Sequence, residues 1–193
     1  FEKNELLKGL KHIDPLHKAI IHKKTIEITY QSFKAKLPQI IVFYPYLLKE
    51  YRNRWFILGA NKKGKATMIL ALDRIETFKE LNSEKYHKSE FDVSVYFNDA
   101  IGVSKMPNQT AQTVVMKIIK EHAPYIITKP IHPSQKILKE DDDGTIFSIE
   151  VIWNFELERE ILGFGEQIKI LSPKRLSGKI QSRLKQTLKK YSY

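Results

Sequence analysis

The chain has 193 residues, 42% hydrophobic and 28% charged, with no cysteine and a net charge of +11. These values suit an ordinary globular protein of one large or two small domains. No apolar run approaches the ~20 residues of a membrane span, and disulfides and thiolate metal sites are excluded. The basic excess favours phosphates and other anionic partners, and the lack of cysteine suits a reducing cytoplasm, where the chain is expected to reside. Phe1 to Glu5 carry charge in place of a signal-peptide core, and a start on Phe is expected of a fragment or processed product.

Residues 1–24 read as a helical lead-in, with Asp14-Pro15 starting a helix to about His22. Thr25 to Tyr30 alternates β-formers and predicts a strand. Lys34 to Gln39 reads as a turn, and Ile40 to Pro45 as a second strand continuing through Tyr46–Glu50 to a hairpin at Arg52-Asn53. Trp55 to Gly59 is a third strand, and Asn61 to Lys65 a turn rich in Asn, Gly and charge. Thr67 to Leu72 is a fourth strand, and Arg74 to Phe78 bends into a fifth. So many short strands with little helix between them predict a small antiparallel barrel. Asn82 to Lys105 then crosses it, and Met106 to Thr110 is the expected linker.

The pattern changes from residue 111. Thr113–Lys117 predicts a strand, Ile118–Tyr125 a helix, and Gln135–Lys139 and Thr145–Trp153 two strands joined by Asp141-Asp142-Asp143-Gly144. Leu157–Leu162 predicts a helix stopped near Gly163, Gln167–Leu171 a strand, and Ser172-Pro173 opens a final helix to about Tyr191. The order strand, helix, strand, strand, helix, strand is the ferredoxin-like arrangement. The fold class expected is therefore mainly β, then α+β. From Pro173 on there are seven basic residues (Lys174, Arg175, Lys179, Arg183, Lys185, Lys189, Lys190) and no acid. The apolar series Leu176, Ile180, Leu184, Leu188 and Tyr191 gives that helix a packing face.

Tyr44-Pro45-Tyr46-Leu47-Leu48, Asn53-Arg54-Trp55-Phe56-Ile57-Leu58-Gly59 and Leu72-Asp73-Arg74-Ile75 together resemble the WYL family. The name-giving Trp-Tyr-Leu triplet stands here as Trp55-Phe56-Ile57, without the tyrosine hydroxyl. Phe97 to Val103, Gly163-Phe164-Gly165 and Leu171-Ser172-Pro173 resemble that family's C-terminal extension domain. The resemblance implies an Sm-like, SH3-type barrel at 25–106 and a dimerising extension at 111–193. Its members are mostly bacterial transcription regulators, and the barrel is held to bind a nucleotide-like or single-stranded nucleic acid ligand. It also implies an N-terminal helix-turn-helix; none precedes Phe1, so operator DNA is expected to be read by a part missing from this chain.

Arg74 and Arg54 are the leading ligand-binding candidates, because a guanidinium offers phosphates a planar fork of donors and stacks on bases. An ion pair of Arg74 with Asp73 is the structural alternative. Tyr46, Tyr30 and Trp55 could stack on bases, although aromatics in a small barrel more often fill its core. The basic final helix has a packing reading and a phosphate-binding one. His12, His17 and His22 are five apart and so do not share a helix face, and the Asp141–Gly144 turn lacks a calcium loop's alternating ligands. No metal site, cofactor or catalytic residue is expected. The function expected is the ligand-sensing, dimerising part of a regulator, the alternatives being a stand-alone nucleic-acid-binding protein or a purely dimerising module.

Overall fold

The computed structural model describes residues 7–63, 66–106 and 108–191. Phe1 to Glu5, Gly64 and Lys65 of the expected turn, and Pro107 of the expected linker lie outside them. The chain divides into two units between Tyr96 and Phe97.

In the first unit a 3-10 turn, Leu10–His12, runs into helix α1, Ile13–Ile21. Helix α1 buries Leu16 and Ala19 completely. Five strands follow: β1 Ile26–Tyr30, β2 Gln39–Tyr51, β3 Arg54–Asn61, β4 Thr67–Ala71 and β5 Ile75–Glu80. They form one antiparallel sheet in the order β4-β3-β2-β1-β5. Among the described residues the ladder ends at β4 on one side and β5 on the other.

The elements follow from the sequence. Ile26, Ile28 and Tyr30 alternate inward along β1, as a strand with one buried face requires. Arg52 and Asn53 both take positive φ, 50° and 62°, the backbone a tight hairpin needs at its two central residues. Pro45 cannot donate to the ladder, and β2 shifts register between Pro45 and Leu47 against β3. There Phe43 to Tyr46 are all buried, so β2 serves two cores. On one side Phe43 packs with Leu16, Ile26, Ile28, Ile57 and Leu70. On the other, Tyr44, Tyr46 and Ala60 meet Tyr86, Phe91 and Val93.

In the second unit, strand β6, Gln112–Ile118, leads through a 3-10 turn to helix α2, Ala123–Thr128. Strands β7, Lys136–Asp141, and β8, Gly144–Val151, form a hairpin. Helix α3, Phe155–Gly163, strand β9, Ile168–Ser172, and helix α4, Lys174–Tyr191, complete it. The sheet is antiparallel in the order β7-β8-β6-β9. The whole is α+β, with two antiparallel sheets. The helix expected over 118–125 begins later, because Ile118 still pairs in β6 and Pro124 fits the first turn of α2. Helix α4 buries only Leu176 and Ile180 of its expected apolar face; Leu184, Leu188 and Tyr191 are exposed.

The Phe97–Lys105 segment, expected as part of the crossing connection, is held within the second unit. Asn154 caps α3 by accepting from Leu157 N at 2.9 Å, while its amide donates to Ile101 O and Ser104 O at 2.8 and 2.9 Å. Glu156 Oε1 accepts from Ser104 N and Ser104 Oγ at 3.0 and 2.7 Å. These bonds join Ile101 and Ser104 to the start of α3. Among the described residues no helix is long and apolar enough to cross a membrane.

Candidate anion-binding site

The stretch from Leu72 to Arg74 is a 3-10 turn between β4 and β5. Gly9 is what lets the lead-in lie against it. Its φ is +87°, and a Cβ there would stand 2.5 Å from Leu72 C and 2.7 Å from Asp73 N. His12, buried, places Nε2 at 3.1 Å from Ile75 O and ties the lead-in to the start of β5. From the other side Gln31 N donates to Arg74 O at 3.1 Å. The turn is thus held on both sides, which fixes where Asp73 and Arg74 point.

Asp73 sits between the two leading arginines. Its Oδ2 is 3.3 Å from Arg54 Nε and its Oδ1 is 3.9 Å from Arg74 Nε. The second contact is a charge pair beyond hydrogen-bond range. Both Asp73 Oδ1 and Arg74 Nε are buried without a hydrogen-bond partner among the described residues. The Arg74 guanidinium carbon lies 4.2 Å from the centre of the Phe33 ring, a close cation–π stack. A cavity of about 380 Å³ opens here, lined among others by Gln31, Ser32, Phe33, Asp73, Arg74 and Glu76. Phe33 is 75% exposed, so a planar group has room to stack on it. Two arginines against Asp73 leave one positive charge, which Glu76 on the lining offsets. Lys34 and Lys36, exposed on the Phe33 loop, restore a basic rim.

The other sequence candidates part company. Tyr30 is core: it is buried, and its hydroxyl accepts from Ala71 N at 3.4 Å. Trp55 is half-buried against that same core. Tyr46 belongs to the second core, edge-on to Tyr86 and Phe91 at 6.3 Å each, and does not line the cavity. Burial, with help from Glu90 and Tyr44, raises its hydroxyl pKa. Arg54 and Arg74 are brought together; the three aromatics do not join them. Phe33 is the residue missed. Its signal was an aromatic set beside Lys34 and Lys36 in a loop, the interleaving typical of nucleic-acid surfaces.

No set of three His, Asp or Glu side chains gathers as a metal site among the described residues. His132 Nδ1 lies 2.8 Å from Ser134 Oγ. That hydroxyl is already engaged by β8, donating to Glu150 O at 3.2 Å and accepting from Glu150 N at 2.8 Å. The pair closes a turn.

Two α+β units, each built on one antiparallel sheet, the first with a cavity lined by Arg74, define the class of the chain. Two family models match: the WYL domain over residues 11–80 and the WCX domain over 110–188. The chain thus carries a WYL domain followed by a C-terminal WCX domain. Such domains are typical of the ligand-sensing regions of bacterial transcription regulators, and are generally non-catalytic. Among solved structures, a CRISPR Cas-related protein is similar over 95% of this chain and 52% of its own, at 11% identity and a TM-score of 0.57. Proteasome accessory factor B/C of Arthrobacter aurescens is similar over 93% of this chain and 27% of its own, at 16% identity and a TM-score of 0.43. The chain thus spans about half of the one and about a quarter of the other. No curated protein matches it.

Proposed function

We propose that this chain is the ligand-sensing and dimerising part of a cytoplasmic bacterial transcription regulator whose ligand is a nucleotide-like or single-stranded nucleic acid. The reading rests on Arg74, stacked on Phe33 at the cavity edge and aligned by Asp73 with Arg54. In it the guanidinium Nη atoms take a phosphate and the open face of Phe33 takes a base. The five-strand order, with a 3-10 turn before β5, supports the Sm-like barrel reading. The β6-α2-β7-β8-α3-β9 order supports the ferredoxin-like one. Operator reading is assigned to a helix-turn-helix outside these residues.

Fluorescence anisotropy with labelled oligonucleotides and nucleotides, at low and moderate salt, tests the site. Saturable binding is expected, weakened about tenfold or more by Arg74→Ala, since a hydrogen bond to a charged group contributes about 1.5–3 kcal/mol. Arg54→Ala should matter less, because Arg54 is half exposed and already engaged by Asp73. The Asp73 pair favours a second reading, in which Arg74 is structural and the chain only dimerises. Arg74→Ala would then lower the melting temperature and leave affinity unchanged.

Dimerisation is supported by the exposed stripe Leu184, Leu188 and Tyr191 on α4. Light scattering is expected to give a dimer mass at tens of micromolar, and Leu188→Glu to give a monomer. A monomer in the unsubstituted chain would sink the dimer.

A further inference from the structure

A second cavity, about 470 Å³, opens in the second unit beside the start of α4. Its walls include Asn108, Gln109, Gln112, Trp153, Arg175 and Lys179, and among the described residues no acidic one lines it. Arg175 and Lys179 stand one turn apart on one face of α4. Their charged ends lie 5.6 and 5.5 Å from the centre of the Trp153 ring.

The arrangement is built from beneath. Glu158, buried, accepts from Trp153 Nε1 at 3.1 Å and pairs with Lys179 at 2.7 Å and Arg183 at 2.8 Å. Gln109 uses both ends of its amide, donating to Trp153 O at 3.2 Å and accepting from Met106 N at 2.9 Å. The indole, one cation and one wall are therefore fixed before any ligand arrives. Arg175 is exposed and has no acidic partner among the described residues. Three cations against one carboxylate leave the cleft with two positive charges.

We propose that this cleft binds a nucleoside monophosphate, its phosphate on Arg175 and Lys179 and its base edge on the exposed amides of Asn108 and Gln112. Guanidinium and ammonium side by side are a phosphate's natural partners. A lone phosphate would leave most of the volume empty, whereas pockets of about 300–1,000 Å³ suit small organic ligands. Asn and Gln amides match the donor–acceptor pair of adenine N6 and N7, so adenosine monophosphate is the first ligand to try. The site shares no lining residue with the Arg74 cavity, and the proposal does not depend on it.

The chain has two tryptophans, Trp55 in the first unit and Trp153 in the second. Their indole N–H resonances in the 15N-labelled full chain, assigned with Trp55→Phe, report each unit separately. Titration with adenosine monophosphate should move the Trp153 signal saturably, and inorganic phosphate should need at least about tenfold more. Arg175→Ala should weaken the nucleotide about tenfold or more, with the Trp55 signal unmoved because Arg175 is exposed. Arg74→Ala should leave the Trp153 response as it was, even where it abolishes oligonucleotide binding. The proposal falls if the nucleotide leaves the Trp153 signal in place, if phosphate acts equally well, or if Arg175→Ala has no effect. Loss of the response in Arg74→Ala overturns it too.

Discussion

Replacing Gly59 with alanine is expected to destabilise the first unit by about 3 kcal/mol, among the largest effects of a single methyl group in the chain. Gly59 sits in β3 opposite Pro45, at the point where β2 bulges. A Cβ there would lie 2.5 Å from Phe43 Cε1 and closer still to the Tyr44 carbonyl oxygen. Phe43 is fully buried in the core and Tyr44 O is backbone, so neither has a free direction to retreat. Gly59 is not among the residues with positive φ, so the cost is steric. Alanine would otherwise gain up to about 1 kcal/mol by restricting the unfolded chain, and the close contact outweighs that gain. Thermal unfolding followed by the Trp55 resonance checks it. A midpoint no lower than that of the unsubstituted chain would mean that β2 and β3 part without penalty.

Gly59 also marks how far the sequence was legible. Its place in a Trp-Phe-Ile-Leu-Gly run was plain, and so were the alternation of β1 and the Arg52-Asn53 hairpin, because two-residue periodicity and turn chemistry are local. What Gly59 meets was not, since Phe43 and Tyr44 arrive through a bulge that pairing across strands creates. The same division runs through the candidate site. Arg54 and Arg74 stood out as residue types, and Asp73 was named as a partner of Arg74. That one carboxylate aligns both arginines follows only from the 3-10 turn, which the Leu72–Ile75 run does not announce and Gly9 makes possible. Tyr30 and Tyr46 were legible as aromatics on strands, but their surroundings depend on pairing across strands, Tyr30 on the shift against β5 and Tyr46 on the shift after Pro45. In the second unit the order of elements was readable throughout. The Asn154 cap was missed, although Asn three residues before Leu157 is a known start signal. The grip of Asn154 and Glu156 on Phe97–Lys105 was beyond reach, because it joins residues some 50 positions apart.

Glu158→Ala is expected to destabilise the second unit by about 2–3 kcal/mol. Removing one partner of a buried charge network can exceed that, but Lys179 and Arg183 are partly exposed and recover water when released. The Trp153 N–H loses its acceptor as well, so the Trp153 resonance should shift even in the folded chain. Acid provides the sharper test. Burial works to raise the pKa of Glu158, yet hydrogen bonds and charge from Lys179 and Arg183 outweigh it and hold the carboxyl below its ordinary 4.5. The folded state therefore binds fewer protons than the unfolded one in that window. The stabilisation is present above pH 4.5 and is lost as pH falls through the folded value. His132 acts in a higher window: burial lowers its pKa below 6.5 against the opposing pull of Asn98 and Asp99, so stability begins to fall as pH drops through 6.5. Urea unfolding of the full chain, followed at Trp153 across this range, should thus show two declines. Glu158→Gln keeps an acceptor for the indole while removing the charge. It should shrink the lower decline to the smaller part that Asp141, held low by Lys139, contributes, and leave the upper. A lower decline unchanged in Glu158→Gln would assign acid sensitivity to other carboxylates and leave Glu158 a hydrogen-bond acceptor alone.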